Sequence, residues 1–194
     1  MTQPVRDTDV SPAGRVVILN GAGSVGKSSI AKELQHIASA PYLHVQMDAF
    51  LDMLPEANLD HPDGLIFTAL EQDGRPAIAI QSGPVAARAF RGMRHAVAAM
   101  AAQGNNLIVD DVMLDGEMAE YVELLAGREV FRVGLFAPLD VIEARESQRG
   151  DRMIGLARWQ YDRVHRGVTY DLEIKTADLT PRDCARMIKE RFQL

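Results

Sequence analysis

The sequence has few cysteines and fewer basic than acidic residues, which limits covalent cross-links, thiolate metal sites and binding to polyanions. Cys184 is the only cysteine among 194 residues, so neither an internal disulfide nor a zinc site built from several thiolates can form. Basic residues are also outnumbered, with 21 Lys and Arg against 27 Asp and Glu, which gives a net charge of −6. That charge argues against nucleic acid or an anionic membrane as the main partner.

Long apolar runs are scarce as well. The most apolar stretch, residues 96–102, is short and rich in alanine, whereas a membrane helix needs about 20 apolar residues. Residues 1–14 lack the apolar centre of a signal peptide and are predicted to be a flexible tail. We therefore expect a cytoplasmic protein with no membrane partner and one domain over residues 15–194. Whether the protein forms a homo-oligomer is left open.

Apolar segments of strand length alternate with segments of helical periodicity. Because strands separated by helices pair in parallel and carry helices on both faces, this order predicts an α/β fold with a five-stranded parallel sheet. Asp73-Gly74 lies between two extended segments and predicts an inserted hairpin. The predicted strands are 16–20, 42–47, 65–71, 76–81, 107–109, 130–136 and 171–175, and the predicted helices are 27–39, 49–54, 84–103, 116–126, 139–149, 154–165 and 181–192.

The most specific motif is Gly-Ala-Gly-Ser-Val-Gly-Lys-Ser at residues 21–28, between the first strand and the first helix. This G-x-x-x-x-G-K-S spacing is typical of a P-loop, whose backbone N–H groups and helix N-terminus hold phosphate oxygens. Lys27 is predicted to reach the β- and γ-phosphates, and Ser28 to bind Mg²⁺. The motif therefore predicts the P-loop NTPase three-layer sandwich and a site for ATP and Mg²⁺ formed by Gly21, Ala22, Gly23, Ser24, Val25, Gly26, Lys27, Ser28 and Ser29.

Two strand ends carry carboxylates. Asp110 and Asp111 follow an apolar strand, and one of them is predicted to order Mg²⁺ beside Ser28, with Asp110 favoured. The alternative is a turn or helix-cap role. Asp48 ends the second strand, where it would either accept a proton from an acceptor hydroxyl or cap the short helix that follows.

Three arginines lie near the end of the helix at 139–149. Arg145 and Arg149 are four residues apart and share a helix face, while Arg152 follows Gly150. Guanidinium groups near a phosphate site suggest a lid, predicted near 149–155, that closes over ATP and stabilises the transferring charge. The alternative is an ordinary surface helix, balanced by the acidic residues beside the arginines.

These motifs together resemble the chloramphenicol phosphotransferase family of small P-loop kinases. The resemblance covers most of residues 16–176 and is carried by Ile-Leu-Asn-Gly at 18–21, Met-Asp-Ala-Phe-Leu-Asp-Met-Leu-Pro at 47–55, Val-Asp-Asp-Val at 109–112, Arg-Gly-Asp-Arg at 149–152 and Val-His-Arg-Gly-Val-Thr-Tyr-Asp at 164–171. It implies that Asp48 is the proton acceptor for an alcohol, and that Arg149 and Arg152 belong to the lid.

The leading hypothesis is an enzyme that transfers the γ-phosphate of ATP to a hydroxyl of a small molecule, chloramphenicol or a related antibiotic-like alcohol. Its predicted catalytic residues are Asp48, Lys27, Arg149 and Arg152. The alternatives are a nucleoside or nucleotide kinase and a non-catalytic nucleotide-binding protein. Residues 56–83 fall outside the matching motifs and are expected to line the acceptor pocket. The identity of the alcohol, the choice between ATP and GTP, and a role in antibiotic resistance stay open.

Overall fold

The structure is a computed structural model that describes residues 13–114, 116–150 and 153–194. Only the last two residues of the predicted tail fall within these ranges. One of them, Gly14, donates a backbone hydrogen bond to the carbonyl of Ala101 at 3.0 Å. The predicted lid residue Arg152 lies outside the described residues.

The elements alternate as the sequence predicts. The strands are β1 (Val16–Asn20), β2 (Tyr42–Gln46), β3 (Leu65–Gln72), β4 (Arg75–Ser82), β5 (Asn106–Asp111), β6 (Val130–Phe136) and β7 (Leu172–Lys175). The helices are α1 (Lys27–Ile37), α2 (Met47–Leu51), α3 (Pro84–Ala102), α4 (Glu117–Leu124), α5 (Leu139–Arg149), α6 (Leu156–Tyr161) and α7 (Pro181–Phe192). A 3₁₀ turn covers Glu56–Asn58. None of the described helices is both long and apolar enough to cross a membrane.

Five strands form one parallel sheet in the order β2-β5-β1-β6-β7. The central strand β1 is buried along its whole length, and its side chains alternate between two cores. Val17 and Leu19 pack on the side of α1 and α7, whereas Val16 and Ile18 pack on the side of α3 and α4. The predicted three-layer α/β sandwich is therefore confirmed.

The hairpin stands apart from this sheet. Strands β3 and β4 pair antiparallel through an Asp73-Gly74 turn in which both residues have positive φ angles, as a two-residue hairpin turn requires. Strand β4 lies against the start of α6, where the Ile78 N–H donates to the carbonyl of Gly155 at 3.0 Å. The hairpin thus forms a wall beside the main sheet.

Two helix predictions differ from the structure. The helix predicted over 154–165 is only six residues long, because Gly155 with φ of 96° precedes it and a series of turns follows Tyr161. The helical turn predicted over 49–54 begins earlier, at Met47, directly after β2. Its N-cap position is Gln46, and no side chain caps it, so the capping role considered for Asp48 is wrong.

Candidate active site

The loop between β1 and α1 lies at the carboxyl end of the central strand. Gly26 has φ of 109°, a conformation that strains residues with a side chain. A side chain at Gly21 would meet the Leu135 carbonyl at 2.7 Å. The glycines therefore allow a tight turn that delivers the N-terminus of α1 to a cavity. Because the first N–H groups of a helix lack partners within the helix, this end is suited to an anion.

Lys27 is the first residue of α1 and is buried. Its Nζ donates to the carbonyl oxygens of Gly21 at 2.8 Å and Ala22 at 3.1 Å. The ammonium group therefore lies across the opening of the loop and lines the cavity. It supplies positive charge beside the phosphate loop.

Ser28 and Asp110 are in direct contact, although 82 residues separate them in sequence. The Ser28 hydroxyl donates to Oδ2 of Asp110 at 2.5 Å. His44 Nε2 is 3.4 Å from the same oxygen but does not meet hydrogen-bond geometry with any described residue. Burial alone would raise the pKa of Asp110, but contacts with His44 and Ser28 and the charge of Lys27 together hold that pKa below its usual value. Asp110 is therefore an anion at neutral pH.

Asp111 has a different environment, although it also borders the cavity. Its carboxylate accepts hydrogen bonds from the Tyr121 hydroxyl at 3.1 Å and from the Val112 N–H at 2.8 Å. Complete burial, followed by the negative charge of Glu117, raises the pKa of Asp111 to about 6. The pKa values of the two neighbouring aspartates are thus shifted in opposite directions. Of the two, Asp110 is the one that contacts Ser28.

These groups fit a magnesium ion. Mg²⁺ prefers oxygen ligands and is usually bound by one or two protein groups together with waters and substrate phosphates. Ser28 and Asp110 supply a hydroxyl and an ionised carboxylate at the mouth of the loop. The described residues hold no cluster of three or more His, Cys, Asp or Glu side chains suited to a metal, and a site of the magnesium kind does not require one.

Asp48 borders the same cavity as the phosphate loop. It is half-buried in the first turn of α2 and lines the cavity together with Lys27 and Ser28. The wall around it is apolar, and part of it comes from the hairpin, as expected for the segment 56–83. The apolar lining residues are Met47, Leu51, Leu65, Phe67, Ile80, Val112, Met153 and Leu156.

The arginines of α5 have separate roles. Arg149 lines this cavity and also a second one, which shares Ser24, Gly26 and Ser29 with the first. Arg145 does not face the first cavity. Its guanidinium instead donates to the carbonyl of Thr176 at 3.0 Å and to the Thr176 hydroxyl at 3.2 Å, with a longer contact to the Val25 carbonyl at 3.4 Å. Arg145 therefore joins the phosphate loop to the end of β7.

The second cavity lies between the phosphate loop and the segment after β7. Ser24, Val25, Gly26 and Ser29 border it from the loop side. The other lining residues are Ile30, Arg145, Gln148, Arg149, Thr176, Leu179, Pro181 and Cys184. Of the nine residues predicted from the motif, residues 23–29 line one or both cavities, whereas Gly21 and Ala22 line neither and accept hydrogen bonds from Lys27.

Two buried polar residues of the site were not predicted from the sequence. Glu146 accepts hydrogen bonds from the N–H groups of Gly155 at 2.8 Å and Ala157 at 2.9 Å, and so holds the start of α6. Gln160 accepts one from the Gly23 N–H at 2.7 Å. The local sequence offers no signal for Gln160, because its partner is 137 residues earlier.

Comparison with known proteins agrees with this fold. A "Putative O-phosphotransferase" of Mycobacterium tuberculosis (strain H37Rv) is 30% identical over 188 residues, which are 94% of this chain and 84% of that protein. In fold, the chain is similar to the M. tuberculosis APS kinase in complex with AMPPNP and APS (TM-score 0.65, 18% identity, covering 94% of this chain and 99% of that one). It is equally similar to a sugar kinase from Janibacter sp. HTCC2649 (TM-score 0.65, 19% identity, covering 93% and 95%).

The family model described as "Chloramphenicol phosphotransferase-like protein" matches residues 14–193. That range includes the phosphate loop, the hairpin and all the described site residues. The chain therefore belongs to the chloramphenicol phosphotransferase-like family.

Proposed function

We propose that this protein is an ATP-dependent O-phosphotransferase that phosphorylates a hydroxyl group on an uncharged, largely apolar small molecule, of which chloramphenicol is an example. The observation that carries the proposal is one cavity lined by both the phosphate loop and Asp48. A phosphoryl donor and a proton acceptor that share one cavity suit transfer between them.

The donor end has the groups that a nucleoside triphosphate needs. Lys27 and the N-terminus of α1 supply positive charge, and Arg149 lines the cavity beside them. The Ser24 hydroxyl oxygen is buried and has no hydrogen-bond partner among the described residues. Since buried polar groups are normally hydrogen-bonded, a phosphate oxygen is a suitable partner for it. The base would lie in the second cavity, beside Thr176 and Leu179.

Magnesium would be held by Ser28 and Asp110. When bound, it would neutralise charge on the phosphate oxygens and orient them. Asp48 would accept the proton of the acceptor hydroxyl and direct its oxygen toward the terminal phosphorus. In the transfer, an oxygen–phosphorus bond forms to the acceptor, and the bond between that phosphorus and the β-γ bridging oxygen breaks. ADP leaves, and the hydroxyl proton is on Asp48.

The acceptor end favours an uncharged substrate. Its described walls are mainly apolar, and the only cationic side chains among the described lining residues are Lys27 and Arg149, which both border the phosphate loop. An uncharged acceptor would remove apolar surface from water against these walls, whereas an anionic acceptor would place its charge among mainly apolar side chains. For this reason we favour an apolar alcohol over the nucleotide-kinase alternative.

The test is a substrate panel analysed by mass spectrometry in the presence of ATP and Mg²⁺. Amphenicols and uncharged aromatic alcohols should gain a phosphate, whereas nucleotides and sugar acids should not. Asp48→Asn should lower the rate by about 10²- to 10⁴-fold and leave ATP affinity unchanged. The matched control is Asp52→Asn, since Asp52 is exposed at the end of the same helix and should be silent. A wild-type rate in Asp48→Asn, or a preference for anionic acceptors, would contradict the proposal.

A further inference from the structure

Gln160 is a buried amide at the junction of α6 and the phosphate loop. Its side chain is 5% exposed, and its Oε1 accepts a hydrogen bond from the Gly23 N–H at 2.7 Å. The residue lines the cavity that also contains Lys27, Asp48 and Arg149. A side chain from a distant helix therefore contacts the third residue of the phosphate loop, on the side where transfer would occur.

The orientation of this amide is fixed by its partner. A backbone N–H can only donate, so the oxygen end of the amide must face Gly23 and the nitrogen end must face away. No described residue accepts a hydrogen bond from Nε2, and this nitrogen is not fully enclosed by protein. Since Gln160 lines the cavity, Nε2 is available to donate a hydrogen bond to a group bound there.

Glycine at position 23 makes the contact possible. A side chain at Gly23 would begin 3.2 Å from Oε1 of Gln160, which is closer than carbon and oxygen atoms usually approach. The next residue, Ser24, has a buried hydroxyl oxygen without a partner among the described residues, and it borders the same cavity. Two polar groups without protein partners thus adjoin the loop where a terminal phosphate would lie.

We propose that Gln160 is a further catalytic residue whose Nε2 donates a hydrogen bond to an oxygen of the phosphoryl group as it passes from the nucleotide to the acceptor hydroxyl. The inference rests on the proposed function. Gln160 gains and loses no proton. The hydroxyl proton goes to Asp48, and the electron pair of the broken phosphorus–oxygen bond stays with the nucleoside diphosphate. A donor already fixed by Gly23 stabilises developing charge without reorganising.

The experiment compares the affinity of AMPPNP with that of ADP, measured by calorimetry with Mg²⁺. Only AMPPNP carries a γ-phosphoryl group, so the ratio of the two affinities reports contacts with that group. Gln160→Glu keeps an oxygen for Gly23 but replaces the donor with an anion. Gln160→Met has a similar volume and removes both functions. The matched control is Gln103→Glu, at an exposed position after α3.

Gln160→Glu should weaken AMPPNP binding by about 10-fold or more while ADP binding stays within twofold, and should lower turnover by about 10²-fold. Gln160→Met should weaken AMPPNP less than Gln160→Glu, since it introduces no repulsion, and Gln103→Glu should change nothing. Thermal unfolding of each variant establishes that it is folded.

Two outcomes would overturn the inference. Equal weakening of ADP and AMPPNP would mean that Gln160 only supports the loop, and unchanged affinities in both variants would mean that it contacts no phosphate. Failure of the proposed function would look different. In that case wild-type protein would bind AMPPNP, yet no alcohol in the panel would be phosphorylated, and the affinity ratio would still decide the role of Gln160.

Discussion

Replacing Asp111 with asparagine should stabilise the protein at neutral and alkaline pH. Asp111 is 4% exposed, and its pKa is about 6 compared with an ordinary value of 3.8. Burial is the first cause and the charge of Glu117 is the second. An asparagine fits the same contacts, because its oxygen accepts from the Val112 N–H and its amide can donate to the Tyr121 hydroxyl.

The direction in which the free energy of unfolding changes with pH follows from proton linkage. Between pH 3.8 and about 6 the native state holds the Asp111 proton more tightly than the unfolded state, so this residue's contribution to the free energy of unfolding falls as pH rises. A shift of about two pKa units corresponds to about 3 kcal/mol. Asparagine does not titrate, so the variant should gain about 3 kcal/mol relative to wild type between pH 4 and pH 8.

Urea unfolding at several pH values measures this difference. With a urea m-value of about 2 kcal/mol per molar, the gap between the two midpoints should change by about 1.5 M across the range. The matched control is Asp110→Asn. The pKa of Asp110 is lowered, so its ionised form contributes stability above the unfolded-state pKa, and that contribution is lost as pH falls. Asp110→Asn should therefore lose stability relative to wild type at pH 8.

A midpoint difference between Asp111→Asn and wild type that stays constant from pH 4 to pH 8 would refute the reasoning. It would mean that Asp111 titrates at its ordinary pKa, and that water or a neighbouring cation reaches the carboxylate. The pKa of Asp110 is at or below 3.8 in both states, so the Asp110→Asn difference should stay nearly constant from pH 4 to pH 8. A pH-dependent difference in Asp111→Asn alone could therefore not be attributed to a general effect of removing charge.

Three further predictions concern the loop and the lid. ATP with Mg²⁺ should raise the melting temperature of the wild-type protein by mass action, and a folded Lys27→Ala variant should lose this shift; a retained shift would contradict the phosphate-loop assignment. Arg149→Ala should lower the catalytic rate by about 10²-fold or more, and Arg149→Lys should rescue it only in part; a wild-type rate in Arg149→Ala would make Arg149 an ordinary surface residue. Glu146→Ala should leave the N–H groups of Gly155 and Ala157 without an acceptor and cost roughly 1 to 3 kcal/mol of stability; unchanged hydrogen exchange at these two amides would disprove its anchoring role.

The order of the elements could be predicted because each depends on a local pattern. Val16–Asn20 is apolar at four of its five positions and is buried throughout, as a central parallel strand requires. Asp73 and Gly74 accept positive φ angles, so the hairpin turn was recognisable from two residues. The short length of α6 was not predictable in this way, because turns follow Tyr161 although the apolar pattern continues.

Within the candidate site, the phosphate loop could be predicted from the sequence, whereas the placement of Asp48 could not. The phosphate loop is a contiguous motif whose glycines and lysine have roles fixed by spacing. The placement of Asp48 on the cavity wall needed the fold, since the sequence left capping as an alternative and the structure assigns the N-cap position to Gln46. Whether Asp48 acts as the proton acceptor remains a prediction.

The sequence by itself determined the α/β fold, the hairpin and the phosphate loop, because backbone conformation and side-chain periodicity are encoded by near neighbours. Only the tertiary structure separated Asp110 from Asp111. Both are acidic residues at the end of the same strand, but they point into different surroundings, one toward Ser28 and the other toward Tyr121. Gln160 was likewise assigned by the fold alone, since burial and hydrogen-bond partners depend on residues that are distant in the chain.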